Sequence, residues 1–137
     1  MTEPRTELSG IASLLSLEVD YVAEWQFYLA QFNSNYAYCL AQLFGDDGPN
    51  IMLNYEGGYY NLQTYASHHV SFAGDMMDNL NKWVTWSYKF KISPVNGYVI
   101  VFRNGIEMAR MVGNTARGNY IYFKLGMYSQ NHPQDTV

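Results

Sequence analysis

The chain has a single cysteine, Cys39, so no disulfide can close within it. Cys39 sits in an apolar run, where a small buried hydrophobe is expected. No Cys or His spacing of a metal site is present. Charge is scarce: 15% of residues carry it, against about 25% in an average soluble domain. The balance is acidic, with a formal net charge of −4. Proteins that bind nucleic acid or an anionic membrane need a basic surface, so neither partner is expected. No apolar run is long enough to span a bilayer. Met1 to Gly10 carries charges and lacks the apolar centre of a secretory leader. Amphipathic helical periodicity is missing too. Without repeat, linker or composition break, residues 1–137 read as one domain.

Aromatic side chains fill the space that charge leaves. There are 13 Tyr, 7 Phe and 3 Trp. Rings of this kind favour strands. A tyrosine also pairs a flat apolar ring with a hydroxyl, which suits either a core edge or a wet cleft. Most of them are expected to fill a sheet, with Trp25, Trp83 and Trp86 in the core.

Alternation carries the secondary structure. From Val19 to Phe32, Tyr21, Ala23, Trp25, Phe27 and Leu29 share one parity. Asp20, Glu24, Gln26 and Tyr28 share the other, so one face is wet. Further strands are expected over Tyr36–Phe44, Ile51–Tyr55, Tyr59–Tyr65, His68–Phe72, Lys82–Ile92, Tyr98–Phe102, Ile106–Met111 and Tyr120–Ser129. Gly74 to Asn81 reads as a loop or one helical turn. Asn96-Gly97 and Asn104-Gly105 are hairpin signals. Eight or nine short strands without a helix make an all-β sandwich or barrel.

Four segments, in order, resemble jelly-roll polysaccharide lyases. Pro4-Arg5-Thr6-Glu7-Leu8 resembles their R-[ST]-E-L strand. Ala41-Gln42-Leu43-Phe44-Gly45 resembles their Q-x-H-G strand. Trp83 to Gly105 resembles the segment "W…G-Y-V-x-V-W-x-N-G". Tyr122 to Gln130 resembles the closing Y-F-K-x-G-x-Y strand. The set is similar to the heparin-lyase-like and glucuronan-lyase-like group, with alginate lyases related. It implies a concanavalin-like β-jelly-roll sandwich that binds an acidic polysaccharide in a concave groove, outside the cell, without a cofactor. No structural calcium is indicated.

The chemistry so implied is β-elimination from a uronic acid. The proton leaves C5 and the oxygen at C4 departs. The resemblance assigns Gln42 and Arg5 to the substrate carboxylate and its developing negative charge. Tyr128 becomes the acid, and also a candidate base. A free tyrosine, with pKa about 10, is a poor base near neutrality. Nearby cations such as Lys124 and Arg5 would favour the phenolate. Glu7, Phe44, Tyr38, Tyr122, Gln130 and His132 are the expected substrate contacts. Spacing agrees in part: Tyr122, Lys124, Gly126, Tyr128 and Gln130 share a strand face, and so do Arg5 and Glu7. The same parity groups Gln42 with Tyr38, Leu40 and Phe44.

The chain departs from the lyase pattern in three places. Phe44 stands where those enzymes have histidine. Ser9 follows Leu8 where alginate lyases have a second arginine. Only four residues precede Arg5, where lyase domains carry further strands. His132, of the same parity as Tyr128, and His68 and His69 are candidates to supply an imidazole instead. Missing strands leave open edges, so completion of the sheets through a second copy, and hence a homo-oligomer, is expected. Two other functions fit the same residues: a carbohydrate-binding module without catalysis, and a self-assembling structural protein.

Overall fold

The structure is a computed structural model. It describes residues 5–9, 15–30, 37–64, 69–74, 76–118 and 121–130. Among them are ten strands: β1 (Arg5–Ser9), β2 (Asp20–Tyr28), β3 (Ala37–Gly45), β4 (Gly48–Glu56), β5 (Tyr59–Thr64), β6 (His69–Ala73), β7 (Trp83–Lys91), β8 (Gly97–Arg103), β9 (Ile106–Gly113) and β10 (Ile121–Gln130). A single 3-10 turn, Met76–Asn79, precedes β7. Two antiparallel sheets form a sandwich. One has six strands in the order β1-β10-β3-β4-β5-β6, and the other four in the order β2-β7-β8-β9. The expected all-β jelly-roll sandwich is what the chain forms.

The alternation explains why the sheets meet. On β7, Val84, Trp86, Tyr88 and Phe90 are buried, while Trp83 and Lys89 are exposed. Val99 and Val101 of β8 point the same way, as do Ile51, Leu53 and Tyr55 of β4 from the opposite sheet. Ring contacts tie the two layers together. Trp25 of β2 lies 5.5 Å from Phe123 of β10, and Trp86 of β7 lies 5.2 Å from Tyr60 of β5. The Tyr88 hydroxyl crosses the core to donate to the Ala41 carbonyl at 3.3 Å. A buried polar relay adds to this: Asn79 donates to the Tyr60 hydroxyl at 2.7 Å and accepts from Arg103 at 2.6 Å.

Trp83 departs from the core reading. It is 66% exposed at the start of β7, with its ring 5.6 Å from that of Tyr28. It takes the outward parity of Lys89, where no second layer covers it.

Turn chemistry was half right. At Asn104-Gly105 both residues have positive φ, 49° and 81°, as a tight hairpin turn between twisted strands requires. Asn96-Gly97 does not work this way. The β7–β8 turn is built instead by Ser93, whose hydroxyl accepts from the amides of Val95 and Asn96 at 3.2 and 3.0 Å. Gly97 is needed for closeness: a Cβ there would collide with Thr115 Oγ1. Thr115 in turn donates to Lys91 O at 2.8 Å and accepts from Ser93 N–H at 3.0 Å. This fastens the segment before β10 to the four-stranded sheet.

Burial pushes the Tyr88 phenol well above its ordinary pKa, with nearby Cys39 adding to the effect. A raised folded pKa leaves stability intact below about pH 10 and removes it as pH rises further, by about 1.4 kcal/mol per unit for one group. Tyr88→Phe is therefore expected to lose about 0.5–1.5 kcal/mol at pH 7 with its hydrogen bond, yet to lose less than the parent between about pH 9 and 11. Urea midpoints across that range check this; parallel losses in both proteins would contradict it.

Candidate functional site

The outer face of the six-stranded sheet gathers the chemistry, and register decides its membership. Two residues lie between Leu125 and Tyr128 of β10, where β3 has only Leu40 between Ala41 and Cys39. On β4 no residue lies between Leu53 and Asn54. One extra residue flips the side-chain alternation, and two restore it. β3 thus reverses at Leu40, with Tyr38, Leu40, Ala41 and Leu43 all in the core.

Two rows follow from the pairing. Arg5, Tyr128, Cys39, Asn54, Asn61 and Ser71 stand opposite one another across all six strands. Ser9, Lys124, Gln42, Met52, Gln63 and His69 form the second row. Tyr122, Phe44 and Pro49 begin a third. Glu7 pairs with Gly126, and Gln130 with Ala37. Arg5, Glu7, Tyr128 and Gln130 enter through these backbone pairings alone. His132 and His68 lie outside the described residues. His69 is exposed on β6, with three strands between it and the strand of Lys124.

The reversal at Leu40 corrects the grouping of Tyr38 with Gln42. Tyr38 pairs with Tyr55 and belongs to the core cluster, as Leu40 does. It is turned away from the outer face.

The packing around Lys124 is explicit. Its ammonium lies 4.6 Å from the centre of the Phe44 ring. Phe44 also meets the Tyr122 ring at 5.8 Å, tilted by 45°. Phe44 holds the lysine by cation–π attraction, an interaction worth about 0.5–1 kcal/mol at an exposed site. Phenylalanine has no proton to exchange, so position 44 contributes a surface, not an acid or base. Gln42, next to this group in the register, is 3% exposed.

Several polar residues of the face escaped sequence reasoning. Asn61 and Gln63 alternate with buried Tyr60 and Leu62, a pattern that marks them as outward. Asn61 donates to Ser71 at 3.0 Å. Asn54 Oδ1 is buried without a hydrogen-bond partner, a costly condition that a bound donor would relieve. Arg117, on the loop before β10, had no pattern to reveal it. Among the described residues no three His, Cys, Asp or Glu gather as metal ligands would.

The larger hollow lies elsewhere. About 310 Å³ opens on the four-stranded sheet between Tyr98, Ile100, Arg110 and Val112. Its polar groups are already engaged. Tyr98 donates to Asp20 at 2.6 Å, which raises its pKa, and Arg110 is paired with Glu107. The six-stranded face is the better candidate despite its smaller cavities.

Known proteins share this architecture. No family model matches the chain, and no curated protein matches its sequence. Among solved structures, the alginate lyase AlgAT5 of polysaccharide lyase family 7 aligns at 18% identity and a TM-score of 0.54, over 85% of this chain and 49% of that one. Sheep galectin-11, in complex with glycerol, aligns at 13% identity and 0.56, over 93% and 94%. The Caenorhabditis elegans galectin LEC-6 aligns at 14% identity and 0.55, over 95% and 88%. The chain spans about half the length of the lyase and nearly all of the sheep galectin. At these identities the likeness establishes the fold.

A double-mutant cycle tests the lysine platform. Lys124→Met keeps the stem and removes the charge, and Phe44→Leu removes the ring. The coupling energy in unfolding experiments is expected at about 0.5–1 kcal/mol. Additive effects would mean that Phe44 does not hold Lys124.

Proposed function

We propose that the chain binds a uronate-containing polysaccharide along the outer face of the six-stranded sheet and cleaves it by β-elimination. One observation carries this reading. The register of β1, β10 and β3 sets Arg5 opposite Tyr128, and Lys124 opposite Gln42, across three adjacent strands. Those four positions span about 10 Å across the sheet and about 13 Å along it.

Lys124 and Arg5 attract the polyanion within a chain of negative net charge. Gln42 and Arg5 hold the carboxylate, which draws electron density away from C5 and stabilises the charge that develops there. Tyr128, as phenolate, takes the C5 proton. The C5 electron pair forms the C4=C5 bond and the C4–O bond breaks. The phenol then returns a proton to the leaving oxygen. Arg5, opposite Tyr128 in the register, favours the phenolate that starts the sequence. The shared fold with a family 7 alginate lyase supports the reading.

Binding without cleavage is the second reading, and two observations favour it. Phe44 occupies the histidine position of the lyase pattern. The match to a galectin, a carbohydrate-binding protein, covers nearly the whole of both chains, whereas the lyase match covers half of that enzyme. Self-association through the outer edges of β1 and β2, which end their sheets in the strand order, is a separate proposal that light scattering decides.

Ultraviolet absorbance with glucuronan, alginate, heparin and hyaluronan tests the first reading. An unsaturated uronate should accumulate with the parent chain and not with Tyr128→Phe. Phe44→His, which adds a titratable group beside Lys124, should accelerate the reaction. Binding by calorimetry with no absorbance change in either protein would establish the second reading, and neither signal would reject both.

A further inference from the structure

We propose that Arg117 is a second anion-reading residue of this face, placed to take a carboxylate of the acidic polysaccharide other than the one at Gln42. The inference rests on the polysaccharide-binding reading and adds a specificity determinant to it.

A cavity of about 90 Å³ is lined by Pro49, Asn50, Met52, Gln63, Thr64 and Arg117. Three of these belong to the outer face by register. Pro49 stands opposite Phe44, Met52 opposite Gln42, and Gln63 opposite Met52. The cavity therefore lies on the β4 side of the Lys124 platform, with β3 between β10 and β4. It is much smaller than the hollow on the four-stranded sheet.

The loop that carries Arg117 is held on two sides. Thr115 N–H donates to Ser93 O at 2.9 Å. Asn50 holds Arg117 directly. It is fully buried, at a point where β4 shifts register between Leu43 and Phe44 of its partner. With its amide oriented to satisfy both groups, Asn50 Oδ1 accepts from Arg117 N–H at 3.1 Å and Nδ2 donates to Arg117 C=O at 3.2 Å. The backbone of one loop residue thus meets both polar atoms of a buried asparagine side chain. Ordering the main chain in advance removes an entropic cost that a ligand would otherwise meet.

Room has been kept for the guanidinium as well. It lies over Gly48, whose φ is 118°, and a Cβ at that position would come within 2.9 Å of it. A guanidinium presents five N–H donors in a planar fork that matches a carboxylate. An internal partner does not exhaust five donors.

The test compares an oligoglucuronate with its carboxyl-reduced counterpart, which keeps the linkage and loses the charge. Calorimetric affinities are measured for the parent, Arg117→Gln, Arg117→Lys and Lys124→Gln. The Asn50 clamp engages only the main chain at position 117, so the side-chain variants should fold; a thermal melt confirms it. Arg117→Gln is expected to lower the ratio of charged to reduced affinity at least tenfold, and Arg117→Lys to recover only part of it. If the ratio is unchanged in Arg117→Gln but collapses in Lys124→Gln, the Arg117 inference fails and the binding reading stands. If the parent itself shows no preference for the charged oligomer, both fall.

Discussion

The outer face exists because β10 and β3 count residues differently. A strand shows alternate side chains to opposite faces, so every unmatched residue reverses what lies beyond it. Leu40 is such a residue. It keeps Tyr38 in the core and brings Cys39 to the face that Gln42 occupies farther along. Two residues of β10 stand against Leu40 there, which sets Tyr128 opposite Cys39. Everything proposed about ligand chemistry depends on that count.

The core tolerates such irregularity because it is built from large rings that bridge the two sheets. Trp25, Trp86, Tyr88 and Phe123 contact partners in the opposite layer, so local shifts of register do not separate the layers. Scarce charge follows from the same plan. A sandwich with one face of each sheet buried leaves outward positions only, and here many hold Asn, Gln, Ser or Tyr instead of ions. Such groups hydrogen-bond hydroxyls readily. The few cations on the six-stranded face then stand out against a neutral background.

Much of the sandwich could be read from the chain. The alternation of β2 and β7 is strong, and so is the Asn104-Gly105 turn. The irregularity at Leu40 could not be read, since residues 37–41 are small or apolar throughout and give no alternation to break. β1 is five residues long and followed from likeness to lyases, not from periodicity. Of the site, Lys124, Gln42, Tyr122 and Phe44 do come together, while Tyr38 does not. Arg117 was invisible because its position comes from a buried asparagine on a distant strand, and such long-range hydrogen bonds leave no local pattern. Trp83 misled because aromaticity predicts burial only where a second layer exists.

The counting rule also constrains how such a chain can change by descent. A point substitution at position 44 exchanges a ring for an imidazole without moving any strand. Loss or gain of a single residue between Cys39 and Ala41 is different. It would exchange the two faces of half a strand at once, burying polar groups and exposing core. Lineages on this scaffold should therefore vary their chemistry freely by substitution, while length changes in that stretch occur only in compensating pairs.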